Sequence, residues 1–249
     1  MRHRSAPTWL FDLDNTLHDA SHAIFPAINI NMNAFMARVL GNGDTPADDE
    51  TVNAARQAYW QRYGATLIGM IKHHGVCADE FLHAAHTFDD LPSMIRAERG
   101  LSHLLKRLPG RKILLTNAPR RYALDVLRHL GLHRHFFRHV AVESMRVHGQ
   151  LRPKPSKAML RKLLAQEGLR AGRCILVEDT IVNLKAAKAV GLRTALITGY
   201  ARHAQRKAAQ VRTANLATDR PTLLTKRPIY VDVKVKSVRK LPVCLHRLR

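Results

Sequence analysis

A change of rhythm after Gly100 constrains the fold more than any other feature of this chain. Beyond it, short apolar runs alternate with helical stretches. The runs are Lys112-Ile113-Leu114-Leu115, Val140-Ala141-Val142, Cys174-Ile175-Leu176-Val177 and residues 193–197; the helical stretches cover about 120–130, 156–166 and 184–190. Runs this short and this uniformly apolar fit strands covered on both faces. Their alternation with helices predicts an α/β domain with a Rossmann-like parallel sheet. Thr8-Trp9-Leu10-Phe11 reads as an earlier strand, and Tyr230 to Val235 as the last. Between Asp19 and about Gly100 only helical spacing is visible. Ala27, Ile28, Ile30, Met32, Phe35, Met36, Val39 and Leu40 recur mostly three or four apart, and further helical stretches cover 48–63, 67–74 and 79–88. The expected organisation is therefore a core made of residues 1–16 and 101–249, with an α-helical subdomain, 17–100, inserted after the first strand.

A chain of 249 residues can bury roughly 70% of its unfolded surface and needs no disulfide or metal staple. Shares of 46% hydrophobic and 24% charged residues exclude a disordered chain. No apolar run reaches the ~18 residues of a membrane span, and residues 1–10 lack the apolar stretch of a secretory signal. Cys77, Cys174 and Cys244 are scattered thiols without a CxxC pair. They argue against a zinc ribbon and suit a reducing compartment, so a cytoplasmic protein is expected.

The net charge of +22 is unevenly placed. Residues 17–100 hold six bases and ten acids, residues 101–199 twenty bases and five acids, and residues 200–249 thirteen and two. A mildly acidic insert thus sits in a basic body that attracts anions. Such charge also suits a cationic protein that binds RNA or another polyanion. Aromatics are only 6%, however, and residues 201–227 contain none, so a base-stacking platform is not expected there. Non-specific polyanion binding remains the expectation on that side, with no specific nucleic acid.

In open parallel sheets the ligand site lies beyond the carboxyl ends of the strands. Four polar clusters fall at such places: Asp12-Leu13-Asp14-Asn15-Thr16, Thr116-Asn117, Arg152-Pro153-Lys154-Pro155-Ser156, and Glu178-Asp179. Taken singly, Asp14-Asn15 reads equally as a turn, Asp179 or Thr116-Asn117 as a helix cap, and Lys154 as one more surface base. Taken together, carboxylates gathered at one sheet edge repel unless a cation joins them. An oxygen-only donor set favours Mg²⁺, which commonly shares a phosphate. Lys154 and the Thr116 hydroxyl add a charge and a donor for that phosphate.

These four clusters, in this order, resemble the motifs of the haloacid dehalogenase-like superfamily of Asp-nucleophile phosphatases, and the helical insert lies where that family places its cap. The resemblance runs to about Val235. It implies Asp12 as nucleophile and metal ligand, and Asp14 as general acid and base whose backbone carbonyl faces the metal. It further implies Leu13, Thr116, Asn117 and Lys154 around the phosphate, and Glu178 and Asp179 as metal ligands. Asn183 stands where some members carry a further acid, which leaves open whether Glu178 binds the metal directly. Tyr59-Trp60-Gln61-Arg62-Tyr63-Gly64-Ala65-Thr66-Leu67-Ile68-Gly69 is similar to a cap segment of the pyrimidine 5′-nucleotidase branch, as are residues 79–91 and 230–233. Trp60, Tyr63 and Gly64 are the substrate-binding candidates it implies; packing within the cap is the alternative for the two aromatics. The expected activity is Mg²⁺-dependent hydrolysis of a nucleoside 5′-monophosphate. A sugar phosphate, phosphoglycolate or a phosphomutase reaction are the rivals. Oligomeric state is not legible.

Overall fold

The structure is a computed structural model that describes residues 6–200 and 227–248. The basic stretch 202–212 lies outside the described residues. The elements follow in chain order: β1 (Thr8–Phe11), α1 (Ile24–Leu40), α2 (Asp49–Tyr63), α3 (Thr66–His74), α4 (Ala78–Ala85), α5 (Leu91–Met94), α6 (Leu101–Arg107), β2 (Lys112–Leu115), α7 (Arg120–His129), β3 (Arg138–Val140), β4 (Arg146–Val147), β5 (Gln150–Leu151), α8 (Lys157–Gln166), β6 (Cys174–Glu178), α9 (Ile181–Val190), β7 (Arg193–Ile197) and β8 (Val233–Val235). They divide into two compact units, Met1–His22 with Ile95–Arg249, and Ala23–Met94.

The first unit is built on a six-stranded sheet in the order β3-β2-β1-β6-β7-β8, with every neighbouring pair parallel. Successive side chains point to opposite faces. Leu10 joins Ile113, Leu115 and Leu176 in a core with Met159, Leu160 and Leu163 of α8 and Leu184 and Ala187 of α9. Trp9 and Phe11 stack on each other at 5.9 Å, and the Trp9 indole N–H donates to the Pro109 carbonyl at 2.8 Å. The strand order runs outward on one side of β1 through β2 and β3, then resumes on its other side with β6. The switch point of the sheet therefore lies between β1 and β6, where such folds place ligands.

The turn after β1 belongs to the same unit for local reasons. Asp19 N–H donates to the Arg96 carbonyl, and Ser21 is tied to the Asn15 side chain through both its N–H and its hydroxyl. A small antiparallel hairpin, β4–β5, precedes α8, whose N-terminus is capped by Ser156 accepting from Met159 N–H at 3.2 Å. Two strand expectations shift. The run Val140–Val142 ends its pairing at Val140, because Val142 N–H turns away to the Ala118 carbonyl and a 3₁₀ turn begins. The last strand starts at Val233 rather than Tyr230: Val231 N–H closes a turn onto the Pro228 carbonyl.

The second unit is helical throughout the described residues. Asp48 caps α2 through Thr51 N–H, and Gly64, at φ 74°, ends it in the left-handed region that glycine adopts without strain. Arg56 of α2 donates to Asn29 and Asn33 of α1 at 2.9 and 2.8 Å, and Phe35 meets Phe81 edge to face. Gly69 of α3 lies directly under the Tyr59 ring, which leaves no room for a Cβ.

Candidate active site

The register builds the site. Phe11 pairs with Leu114 of β2 and Val177 of β6, so the carboxyl ends of the three parallel strands lie side by side. Asp12 follows Phe11, and its N–H donates to the Val177 carbonyl at 3.0 Å. Glu178 ends β6 and Asp179 follows it. Thr116 follows β2, fully buried, with its N–H bonded to the Val140 carbonyl and its Oγ1 accepting from Ala118 N–H at 3.0 Å.

Asp12, Glu178 and Asp179 offer carboxylate oxygens that all lie within 4.8 Å of one another. Lys154 completes the cluster: its Nζ donates to Asp12 Oδ1 at 2.6 Å and to Glu178 Oε2 at 2.8 Å. Asp12 is 6% exposed and Lys154 5%. Lys154 is held from behind by Asn117, whose side-chain amide donates to the Lys154 carbonyl at 3.0 Å and accepts from its N–H at 2.9 Å. The Glu178 carboxylate is heavily engaged. Oε1 accepts from Thr180 N–H, and Oε2 accepts from Asn183 as well as from Lys154. Asn183 thus supplies a donor where an acid would have added a charge. Asp179 accepts from the Thr180 hydroxyl at 3.1 Å.

The electrostatics follow from this crowding. Burial first, then the neighbouring Glu178 charge, push the Asp12 carboxyl up to about 7 against the opposing pull of Lys154. Burial and the Glu178 and Asp12 charges also hold Asp179 well above the usual carboxylate range. Burial disfavours the Lys154 ammonium, yet Asp12 and Glu178 outweigh it and bind the proton more tightly than usual. Oxygen donors that crowd in this way are relieved by a small divalent cation, and the donor set fits one.

Asp14 stands apart from the three clustered carboxylates. Its Oδ1 accepts from the Tyr122 hydroxyl at 2.6 Å and meets His18 Nε2 at 2.8 Å. Burial and the Asp14 charge raise Tyr122 well above its ordinary value. Leu13 is fully buried, and its carbonyl accepts from Leu17 N–H across a tight turn. Sequence reasoning missed His18, Tyr122 and the Asn117 clamp. His18 carried a local signal, four residues from Asp14; Tyr122, more than a hundred residues away, carried none.

The second unit holds the other candidates. Trp60 is 48% exposed. Tyr63 donates or accepts at His73 Nε2 over 2.7 Å, with Lys72 Nζ 4.9 Å from its ring centroid. Gly64 ends α2, and a side chain there would enter open space. Gly69, the last residue of the same segment, is explained by packing under Tyr59.

A model of the haloacid dehalogenase-like hydrolases matches residues 7–191. The chain belongs to this family. Two curated relatives are enzymes of Pseudomonas aeruginosa. One, Phosphoglycolate phosphatase 1, is 28% identical over 205 residues, covering 77% of this chain and 69% of that protein. The other, a 5′-nucleotidase, is 26% identical over 195 residues, covering 75% and 80%. Among solved structures, an HAD phosphatase from Thermococcus onnurineus superposes with a TM-score of 0.59 at 16% identity, covering 98% and 99% of the chains. The L-2-haloacid dehalogenase of Xanthobacter autotrophicus, with chloropropionic acid covalently bound, gives 0.56 at 16% identity, covering 97% and 98%. At such identities the structural likeness speaks for the fold of this haloacid dehalogenase-like hydrolase. Among its described residues no helix is long and apolar enough to cross a membrane.

Proposed function

We propose that this hydrolase is a Mg²⁺-dependent phosphomonoesterase that acts through a phosphorylated Asp12. The observation that carries the reading is the cluster of Asp12, Glu178 and Asp179, the first two buried and both paired to Lys154. A halide leaves without a proton and its carboxylate substrate carries a single charge. A phosphate dianion approaching Asp12 needs far more positive charge, and this site is built to gather it. Asp12, Asp14 through its backbone carbonyl, Glu178 and Asp179 would hold the cation, which when bound supplies charge neutralisation at the phosphate oxygens. Lys154 stabilises the same developing charge from the protein side. Leu13, Thr116 and Asn117 flank the phosphate position through their backbone and hydroxyl donors. Asp14 gives a proton to the leaving oxygen and later takes one from water.

The substrate class is a nucleoside 5′-monophosphate with a pyrimidine base. The support is the cap-like segment 59–69 with Trp60, Tyr63 and Gly64, and the relatedness to a 5′-nucleotidase over most of both chains. A second reading, phosphoglycolate, is favoured by the relatedness to a phosphatase of that name. Phosphate release from UMP, CMP, purine monophosphates, phosphoglycolate and sugar phosphates decides between them, with Asp12→Asn as the control. UMP and CMP are expected among the best substrates. Were they among the poorest, with phosphoglycolate leading, the nucleotide reading would fail while the phosphatase reading stood.

A further inference from the structure

Asp14 is held by polar residues that the expected mechanism leaves unused. A hydrogen-bonded turn, Leu13 to Leu17, places His18 beside Asp14, and Asn15 lies within it at φ 57° with its side chain locked to Ser21. His18 is 0% exposed and Tyr122 is buried. Both reach the same oxygen, Asp14 Oδ1, at 2.8 and 2.6 Å, while Tyr122 OH and His18 Nε2 lie 3.5 Å apart. His18 Nδ1 is buried without a hydrogen-bond partner among the described residues. An N–H there would be an unsatisfied buried donor, which costs more than an unused lone pair. The ring proton is therefore assigned to Nε2, from which it is donated to Asp14. Two buried donors thus converge on one oxygen of the Asp14 carboxylate, whose side chain is 15% exposed.

We infer that His18 and Tyr122 are positioning residues for Asp14, holding its carboxyl by Oδ1 in the orientation that its general-acid role requires. Two donors on one oxygen fix the plane of the carboxyl as well as its place. The inference rests on the phosphatase reading of Asp14. In the first transfer, an Asp12 oxygen bonds to phosphorus as the phosphorus–oxygen bond to the leaving group breaks. The freed electron pair stays on the leaving oxygen, which takes the proton from the Asp14 carboxyl. In the second, water attacks the phosphorus and gives a proton back to Asp14. The bond to Asp12 breaks, and inorganic phosphate and the Asp12 carboxylate are released.

A positioning role for a general acid has a signature that loss of folding lacks: it depends on the leaving group. Steady-state kinetics on the Mg²⁺-loaded protein are compared for UMP, whose alkoxide needs a proton, and p-nitrophenyl phosphate, whose phenolate does not. Should the substrate panel favour another alkyl phosphate, it replaces UMP. The variants are Tyr122→Phe, His18→Leu, His18→Gln and Asp14→Asn, each with its thermal unfolding midpoint measured. Tyr122→Phe and His18→Leu are expected to lower kcat/KM for the alkyl phosphate by about 10-fold or more, within the ~10²–10⁴-fold range of general acid–base catalysis. The loss for p-nitrophenyl phosphate is expected to be several-fold smaller. His18→Gln keeps an N–H donor and should recover much of the difference. Equal losses on both substrates, with no recovery in His18→Gln, would overturn the inference. If Asp14→Asn itself shows no leaving-group selectivity, the general-acid reading of Asp14 fails. If it does and the other variants do not, only the positioning role fails.

Discussion

Replacing Lys154 with Met separates the charge of this side chain from its bulk. Met fills the stem of the lysine with apolar atoms and deletes only the ammonium, which donates to Asp12 and Glu178 from a buried position. Removing one partner of a buried ion pair leaves uncompensated charge and costs about 3–5 kcal/mol. For a chain of this size each kcal/mol shifts the unfolding midpoint by roughly 2–4 °C, so a fall of roughly 6–20 °C is expected. The carboxyls have one escape, which is to protonate. Asp12 sits at about 7 even with Lys154 beside it, and loss of the ammonium moves it higher. A carboxyl whose folded value exceeds its unfolded ~3.9 binds more protons in the native state, so stability falls as pH rises between the two values. The deficit of Lys154→Met should therefore be largest near pH 8 and smaller near pH 5. The assay is urea unfolding of wild type and variant in EDTA at both pH values, so that no divalent cation substitutes for the lysine. A deficit below about 1 kcal/mol at pH 8, or one that is the same at both pH values, would refute the assignment of Lys154 as the compensating charge.

Two further outcomes concern the scaffold. Gly69→Ala drives a Cβ into the Tyr59 ring and should destabilise the helical unit by about 1–3 kcal/mol, as overpacking does, seen as a lower unfolding midpoint. Asp232 anchors the approach to β8 by accepting from Lys188 at 2.5 Å and Thr194 N–H at 2.9 Å; these bonds lower its carboxyl below the usual value despite partial burial. Its contribution is present above the unfolded ~3.9 and is lost as pH falls through the lower folded value. Because the pair is only partly buried and reached by solvent, Asp232→Asn should remove only about 0.2–1 kcal/mol at pH 7 and flatten the stability profile below pH 4, measured by urea unfolding.

The strands of this sheet were legible because burial on both faces leaves an unbroken apolar signature, as at Leu114-Leu115 and Ile175-Leu176. Boundaries were less so. Val140–Val142 is apolar enough for a strand, but only Val140 finds a pairing partner, while the Val142 N–H is satisfied by Ala118. The helix Leu101–Arg107 escaped notice because a seven-residue segment holds too few turns to show its period. The acidic and basic clusters at strand ends were legible as chemistry because their order along the chain is local information. What each side chain touches was not. Nothing in the sequence tells that Asn117 grips the Lys154 backbone, that Asn183 serves Glu178, or that Tyr122 reaches Asp14, since these contacts depend on strand register and helix placement. The charge excess after residue 100 now has one concrete use in Lys154, and the field around it favours anionic substrates.

The central claim is that phosphate passes through Asp12. Mg²⁺-loaded protein turning over a phosphomonoester labelled in its phosphate is quenched in acid, digested and mapped. The label is expected on the peptide that contains Asp12, and it should be absent from Asp12→Asn, which remains folded but does not turn over. Phosphate release at the wild-type rate by Asp12→Asn, or steady turnover with no label held at Asp12, would contradict the account.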